Sequence, residues 1–166
     1  MTGLRAGPRP TAVLRPLTRT DRYAIESMMK ANTLFHANEV TVALEVFDST
    51  MAPGQQDYHT LGAELEERLV GWICWGPTPC TVGTYDMYWI VVDPSVHGAG
   101  VGSQLVREME RRLAGRARMI VVETSGRAEY EPTRAFYLAR DYEIVARVPD
   151  FYAPEDDQVV FVKRLA

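Results

Sequence analysis

The sequence contains no apolar run near the ~18–20 residues that a transmembrane helix requires, and this absence predicts a protein that does not span a membrane. Residues 1–12 carry Arg, Gly and Pro but lack the apolar segment of a secretory signal, so we interpret them as a flexible N-terminal tail. Cysteine is scarce: Cys74 and Cys80 are the two in the chain, and their spacing is not that of a metal site. These absences favour a reduced, cytoplasmic protein with no metal centre.

Positive charge is also in short supply, with 18 Lys and Arg against 22 Asp and Glu and a net charge of −4. Nucleic-acid binding is driven by clustered Lys and Arg, so this balance argues against a nucleic-acid partner. It mildly favours a cationic substrate. The 166 residues are 46% apolar and 24% charged, which suits a single globular domain, here residues 13–166.

What the sequence does contain is a series of helix and strand patterns. Helical spacing and capping residues predict four helices, at about Asp21–Asn32, Asn38–Ser49, Gly100–Ala114 and Pro132–Arg140. Apolar and β-branched runs predict six strands, at Tyr58–Leu65, Leu69–Trp75, Thr84–Val92, Arg118–Glu123, Tyr142–Val148 and Gln158–Arg164. The segment Pro149–Asp157 is predicted to be a loop. A helix separates the third and fourth strands, which indicates a right-handed parallel crossover in an otherwise antiparallel α/β fold.

The sharpest local signal is the glycine-rich segment Asp93–Ser103, between the third strand and the third helix. Its glycines let backbone N–H groups turn toward an anion without a Cβ in the way. The helix that begins near Gly100 adds unsatisfied amides and the positive end of its dipole. The segment therefore predicts a diphosphate site; the alternative is a tight turn that binds nothing.

Two nucleotide-binding motifs compete for this segment. A P-loop requires a Lys after the last glycine, and Ser103 follows Gly102, so that motif is excluded. A dinucleotide fingerprint requires Gly or Ala at the position of Ser103 and an almost immediate turn, whereas Asp93–His97 intervenes here. The 43 residues after Glu123 are also too few for the remaining strands of a doubly wound sheet.

The segment instead resembles the GNAT superfamily of N-acetyltransferases, whose signature is Arg/Gln-x-x-Gly-x-Gly/Ala between a strand ending in Ile-x-Val and a helix. The matching residues are Ile90-Val91-Val92 and His97-Gly98-Ala99-Gly100-Val101-Gly102. A second motif, Phe-Tyr-x-x-x-Gly-Phe, is similar to the segment from Phe136 to Tyr142. The resemblance covers most of the chain in element order. It implies a mixed, mostly antiparallel sheet of six to seven strands with one central parallel βαβ unit and about four helices.

The resemblance also implies acetyl-CoA as the acyl-donor co-substrate, with no metal. In the family, the last strand residues pair their main chain with the pantetheine arm, and the loop amides hold the pyrophosphate. These roles carry over to Ile90, Val91 and Val92, and to His97, Gly98, Ala99, Gly100, Val101, Gly102 and Ser103. His97 replaces the usual Arg or Gln, so it either keeps the diphosphate contact or leaves it to the amides.

For catalysis, the resemblance assigns Tyr137 the role of protonating the leaving thiolate. A phenol with a pKa near 10 is not ionised at neutral pH, so it still has a proton to donate. The base that takes a proton from the attacking amine is Glu123, Asp86 or neither of them. Strand alternation would put Asp86, Tyr88, Ile90 and Val92 on one face. The family's usual Asn is replaced at about Tyr130, and Asp141 replaces the Gly of the second motif.

The acceptor is less defined by the sequence. In such folds the first two helices and the loop before the final strand select the acceptor, and the resemblance assigns this role here to Phe35, His36, Asn38, Glu39 and Asp150-Phe151-Tyr152. The loop aromatics Phe151 and Tyr152 indicate contact with an acceptor or with a second subunit in a homodimer. The resemblance implies N-acetylation, and we expect the acceptor to be a small-molecule amine or amino acid-like metabolite that attacks directly in a ternary complex. The alternatives are a non-catalytic acyl-CoA-binding module, and an acyltransferase that uses another acyl group or acceptor atom.

Overall fold

The computed structural model describes residues 11–165, which form one seven-stranded sheet with four α-helices packed on it. The strands are β1 (Val13–Arg15), β2 (His59–Leu65), β3 (Arg68–Pro77), β4 (Thr84–Val92), β5 (Met119–Ser125), β6 (Glu143–Ala153) and β7 (Asp156–Arg164). The helices are α1 (Arg22–Ala31), α2 (Ala37–Thr50), α3 (Val101–Leu113) and α4 (Glu131–Leu138). The strand order is β1-β2-β3-β4-β5-β7-β6, with β4 and β5 parallel and all other neighbours antiparallel. The predicted fold class is thereby confirmed.

Two layers of side chains hold the helices to the sheet. On one face, α3 and α4 cover a core that includes Leu105, Met109, Val122, Tyr137 and Phe161. On the other face, α1 and α2 cover a second core built around Ile25, Met29, Phe47 and Trp72. The apolar stripe predicted for α3 is buried along its whole length, as its helical spacing requires.

The N-terminal part of the chain differs from the predicted elements. Most of the predicted tail, residues 1–10, lies outside the described residues, but Ala12 is buried. Its backbone N–H and carbonyl contact the side-chain amide of Gln104 at 3.1 and 3.3 Å. The short strand β1 follows directly and was not predicted. It is fixed by long-range contacts: β1 pairs with β2, and Arg15 Nε donates to Glu64 Oε2 at 2.6 Å.

The prediction of a loop over Pro149–Asp157 is wrong. Strand β6 continues to Ala153 and β7 begins at Asp156, so a two-residue turn joins them. Because β6 is an edge strand, one of its sides has no neighbouring strand. Pro149, which lacks a backbone N–H, can therefore lie within β6 without the loss of a hydrogen bond on that side. The register shifts between Val148 and Ala153, which accommodates Asp150 at a φ of 52°.

A bulge divides β4 at Tyr88. Cys74 of β3 pairs with Trp89 and the next residue, Trp75, pairs with Met87, so Tyr88 has no partner in β3. A bulge of this kind shifts the alternation of side chains by one residue. Strand β4 therefore does not present one uninterrupted face.

The expectation that Asp86, Tyr88, Ile90 and Val92 share one face is wrong for this reason. Ile90 and Val92 pack into the core under α3, on the same side as Met87. Met87 is the immediate neighbour of Asp86, so Asp86 points to the opposite face.

Strands β4 and β5 separate soon after they meet. Their parallel pairing is limited to Thr84–Asp86 against Met119–Val121. Beyond Asp86, both strands continue but no longer pair with each other, and β4 presents an open backbone edge toward β5. The fold thus contains a wedge-shaped cleft in the middle of the sheet.

Candidate active site

A cavity of about 1030 Å³ occupies this cleft. It is lined by β4, β5, the glycine segment, α4 and the α1–α2 connection. The predicted catalytic residues Asp86, Glu123 and Tyr137 all line it. So do most of the predicted cofactor-binding residues, namely Ile90, Val92, His97, Gly98, Gly100, Val101, Gly102 and Ser103.

Two predicted cofactor-binding residues do not line the cavity. The side chain of Val91 is buried in the core under α1 and α2, as expected for a residue of which only the main chain was assigned a role. The N–H of Ala99 donates to the carbonyl of Val96 at 3.1 Å, so that amide is used within the loop.

The glycine segment has the backbone shape that an anion site requires. Gly98 and Gly100 adopt left-handed φ values of 79° and 85°, and Gly100 is the N-cap of α3. A Cβ on either glycine would have no neighbour within 4 Å, so the loop is open toward the cavity. The N–H groups of the first helical turn, Val101–Ser103, have no acceptor within the helix. They form the positive end of α3, which can hold a diphosphate.

His97 is turned back onto the strand. Its Nε2 lies 3.0 Å from the carbonyl oxygen of Val92, and a carbonyl oxygen only accepts, so the ring donates an N–H to that oxygen. The imidazole thereby ties the loop to the end of β4. This contact favours the second of the two expectations for His97, in which the diphosphate is left to the amides.

Arg140 is a cavity residue that sequence reasoning missed. Its guanidinium donates to Ser103 Oγ, and to the carbonyl of Phe136 at 2.6 Å. It also lies over the Phe136 ring, 3.5 Å from the centroid. The sole sequence signal was a cation at the end of the last predicted helix, and nothing in the sequence linked it to a loop 37 residues away.

Tyr137 reaches the cavity from the α4 side. Tyr137 is 4% exposed, and its ring packs against Phe136, Tyr142 and Phe161, with centroid separations of 5.4–5.7 Å. Burial raises the pKa of its phenol well above the ordinary value. The hydroxyl makes no hydrogen bond to another described residue. Tyr137 therefore keeps its hydroxyl proton at the cleft, as the predicted role of proton donor requires.

The two candidate bases lie on the opposite face of the sheet from Tyr137. Val122 packs into the same core as Tyr137, so the next residue on β5, Glu123, points away from α4. Asp86 is paired with Val121, where the strands still touch, and accepts a hydrogen bond from Thr78 Oγ1 at 2.6 Å. Glu123 is exposed and accepts from Gln158 Nε2 at 2.8 Å.

The far end of the cavity holds the expected acceptor residues in part. Phe35, His36, Asn38, Glu39 and Tyr152 line it, whereas Asp150 and Phe151 do not. Phe151 is 53% exposed, and its contact with a second subunit stays a prediction.

An ion pair that was not predicted lies at this far end of the cavity, where the expected acceptor residues are. Arg127 Nε lies 3.4 Å from Asp156 Oδ2, and Arg127 Nη1 lies 3.1 Å from His36 Nε2. The hydroxyl of Tyr130, near the family's usual Asn position, donates to the carbonyl of Leu34 at 3.3 Å. These contacts join the α1–α2 connection to the segment after β5.

Two further properties bear on the site. Among the described residues, no group of three or more His, Cys, Asp or Glu side chains is arranged to hold a metal ion. Over residues 11–165, none of the helices has the length and apolar character needed to cross a bilayer.

A splayed parallel pair with a glycine loop at its open end is the arrangement of the GNAT acetyltransferases. The sequence profile of the Acetyltransferase (GNAT) family matches residues 24–142, and the chain belongs to this family. It is an acetyltransferase, and the family uses acetyl-CoA.

Solved structures share this fold. A GNAT-family protein from Desulfovibrio desulfuricans is 31% identical, with a TM-score of 0.88 over 93% of this chain and 99% of that chain. The ribosomal-protein-S18-alanine N-acetyltransferase of Escherichia coli is 15% identical, with a TM-score of 0.75 over 93% and 94% of the two chains. An aminoglycoside 6'-N-acetyltransferase complexed with coenzyme A is 17% identical, with a TM-score of 0.73 over 93% and 97%. No curated protein sequence matches the chain significantly.

Proposed function

We propose that this protein transfers an acetyl group from acetyl-CoA to the amino group of a small molecule or amino acid-like metabolite. The observation that carries the proposal is that one cavity joins the glycine segment, Tyr137 and two carboxylates through the splayed sheet. Bound acetyl-CoA would supply an activated thioester there. The protein contributes binding, orientation and the two proton transfers.

The end of the cavity that contains the glycine segment and the start of α3, here called the phosphate end, fits the donor acetyl-CoA. The α3 amides of Val101–Ser103 face an open surface, and no Cβ obstructs Gly98 or Gly100. The unpaired edge of β4 at Ile90–Val92 offers main-chain groups to the extended diamide of pantetheine.

The chemistry requires one bond to form and one to break. The amine nitrogen bonds to the acetyl carbon, and the carbon–sulfur bond breaks. Glu123 takes the proton that the amine loses, and Tyr137 gives its hydroxyl proton to the leaving thiolate. We assign the base to Glu123 because it lies beyond the last β4–β5 pair and is exposed, whereas Asp86 lies at the closed end.

Direct attack is favoured because the described cavity contains no cysteine. Cys74 is buried, and burial raises the pKa of its thiol to about 12, so it is a poor nucleophile. Cys80 is exposed and lies outside the cavity. Both thiols are free, which is compatible with the predicted reduced, cytoplasmic setting.

The charge at the acceptor end suits a protonated amine. Glu39, Glu123 and Asp156 line the cavity, and Arg127 is the cation beside them. Phe35 and Trp89, whose ring centroids are 6.0 Å apart, add an aromatic wall. The names of two structural relatives describe amine acceptors of different sizes, an aminoglycoside and a ribosomal protein.

The two carboxylates can be distinguished by amide variants. We expect Glu123→Gln to lower kcat/KM by about 100-fold, which is the lower range for loss of a general base. Asp86→Asn is expected to lower it by less than about 10-fold, since that side chain keeps its Thr78 contact. The measurement is the pH dependence of kcat/KM for each variant. A larger loss in Asp86→Asn would transfer the assignment to Asp86.

The function itself is tested by incubating the protein with acetyl-CoA and a panel of amines while free thiol is monitored. Thiol release that depends on the amine, with a product heavier by one acetyl group in mass spectrometry, is expected. Tight binding of coenzyme A without turnover across the panel would favour a non-catalytic acyl-CoA-binding module. A product bearing a different acyl group, or one acylated at oxygen or sulfur, would change the reaction class.

A further inference from the structure

Arg140 brings a positive charge to the phosphate end of the cavity. Its guanidinium donates to Ser103 Oγ, and Ser103 is the third residue of α3. Both residues line the cavity. The cation thus stands beside the unsatisfied amides at the start of the helix, where a positive charge is unfavourable by itself.

This charge has no acidic partner among the described residues. Glu110 is an acid that influences Arg140, but both of its oxygens lie 3.0 Å from Lys163 Nζ. Burial, followed by the neighbouring charge of Arg107, lowers the pKa of Arg140 from its ordinary value. A guanidinium remains charged nonetheless, so the site holds a partly buried cation that a bound anion would neutralise.

The guanidinium is also held in one orientation. The carbonyl of Phe136 accepts from Nη1 at 2.6 Å, and the Phe136 ring lies beneath the charged group at 3.5 Å. A guanidinium has five N–H donors, and Arg140 uses two of them on the described residues. The remaining donors form a fork of the kind that binds phosphate through two hydrogen bonds.

We propose that Arg140 binds the diphosphate of coenzyme A together with the α3 amides, an inference that rests on the proposed function. It supplies the cation that the family signature places at the position of His97. His97 itself is committed to the carbonyl of Val92.

The test is the dissociation constant of coenzyme A, measured by calorimetry for the wild type and for Arg140→Gln. The variant is expected to bind about 10-fold or more weakly, as for loss of a charge-assisted hydrogen bond. The same factor is expected with 3'-dephospho-CoA, and no change in KM is expected with S-acetylpantetheine, which has no phosphate. An unchanged dissociation constant would overturn the proposal, as would an effect that disappears with 3'-dephospho-CoA.

Two further variants separate binding from folding. Arg111→Gln removes an exposed arginine at the other end of α3 and is expected to leave coenzyme A affinity unchanged. If the glutamine variant does not fold, Arg140→Lys is measured instead. It is expected to bind about threefold more weakly, because an ammonium lacks the two-pronged geometry; wild-type affinity in that variant would contradict a guanidinium–diphosphate contact.

The outcomes also distinguish this inference from the proposed function. A wild-type protein that does not bind coenzyme A would refute the proposed function and this inference with it. Wild-type binding that survives Arg140→Gln unchanged would refute the role of Arg140 alone.

Discussion

Replacement of Tyr137 by phenylalanine is expected to lower kcat by about 100-fold or more while the affinity for acetyl-CoA stays within about twofold of the wild type. The variant removes one oxygen atom and leaves the ring packed against Phe136, Tyr142 and Phe161. In the proposed mechanism the lost hydroxyl protonates the leaving thiolate, so the loss is expected in the chemical step. Steady-state kinetics and calorimetry with coenzyme A measure the two quantities separately.

The pH profile gives an independent check on the same residue. Burial raises the pKa of Tyr137, so its neutral, proton-donating form persists as the pH rises beyond the ordinary value for a phenol. We expect no loss of kcat on the alkaline side up to about pH 9.5 that depends on this residue.

Tyr142→Phe is the matched control for Tyr137→Phe. Tyr142 is also buried, but its hydroxyl donates to Glu110 at 3.1 Å and its side chain does not line the cavity. This variant is expected to lower stability by about 1 kcal/mol and to leave kcat unchanged. Full activity in Tyr137→Phe would mean that another group, or water, protonates the thiolate.

The elements that the sequence predicted well are those whose patterns are local. Strand β4 was predicted at its observed limits, Thr84–Val92, because an uninterrupted apolar run reports burial directly. Helix α3 followed from its four-residue apolar spacing. The bulge at Tyr88 was missed because it depends on how β4 pairs with β3, and pairing leaves no mark in the sequence of one strand.

In the site, too, the residues marked by a local sequence pattern could be predicted, and those that depend on long-range contacts could not. Tyr137, Glu123 and the glycine segment could be predicted because motif order or position at a strand end marks them, and the structure brings them to one cavity. Arg127 and Arg140 were missed because no local motif marks either of them. Their contacts span 91 and 37 residues of chain, to His36 and Ser103, so only the folded chain joins them.

The other large effect is expected in the glycine segment. Gly102→Val should weaken coenzyme A binding by about 100-fold, the equivalent of losing one to two hydrogen bonds to a charged group. A Cβ at Gly102 would lie 3.3 and 3.4 Å from two ring atoms of Phe136, and 3.6 Å from Val92 Cγ2. The larger valine would displace the Phe136 ring, on which the Arg140 guanidinium rests. The amides of the first helical turn and Arg140 would then move apart.

Gly100→Val is expected to weaken coenzyme A binding to a similar extent for a different reason. The φ of Gly100 is 85°, a conformation that a β-branched residue adopts only with strain, so the loop must change shape. Gly115→Val is the matched control, because Gly115 has a φ of 73° and likewise no neighbour within 4 Å of its Cβ position. Since Gly115 follows the far end of α3, its variant should lose stability but keep its affinity for coenzyme A. Wild-type affinity in both Gly100→Val and Gly102→Val would place the diphosphate elsewhere and remove the physical basis for Arg140 as its partner.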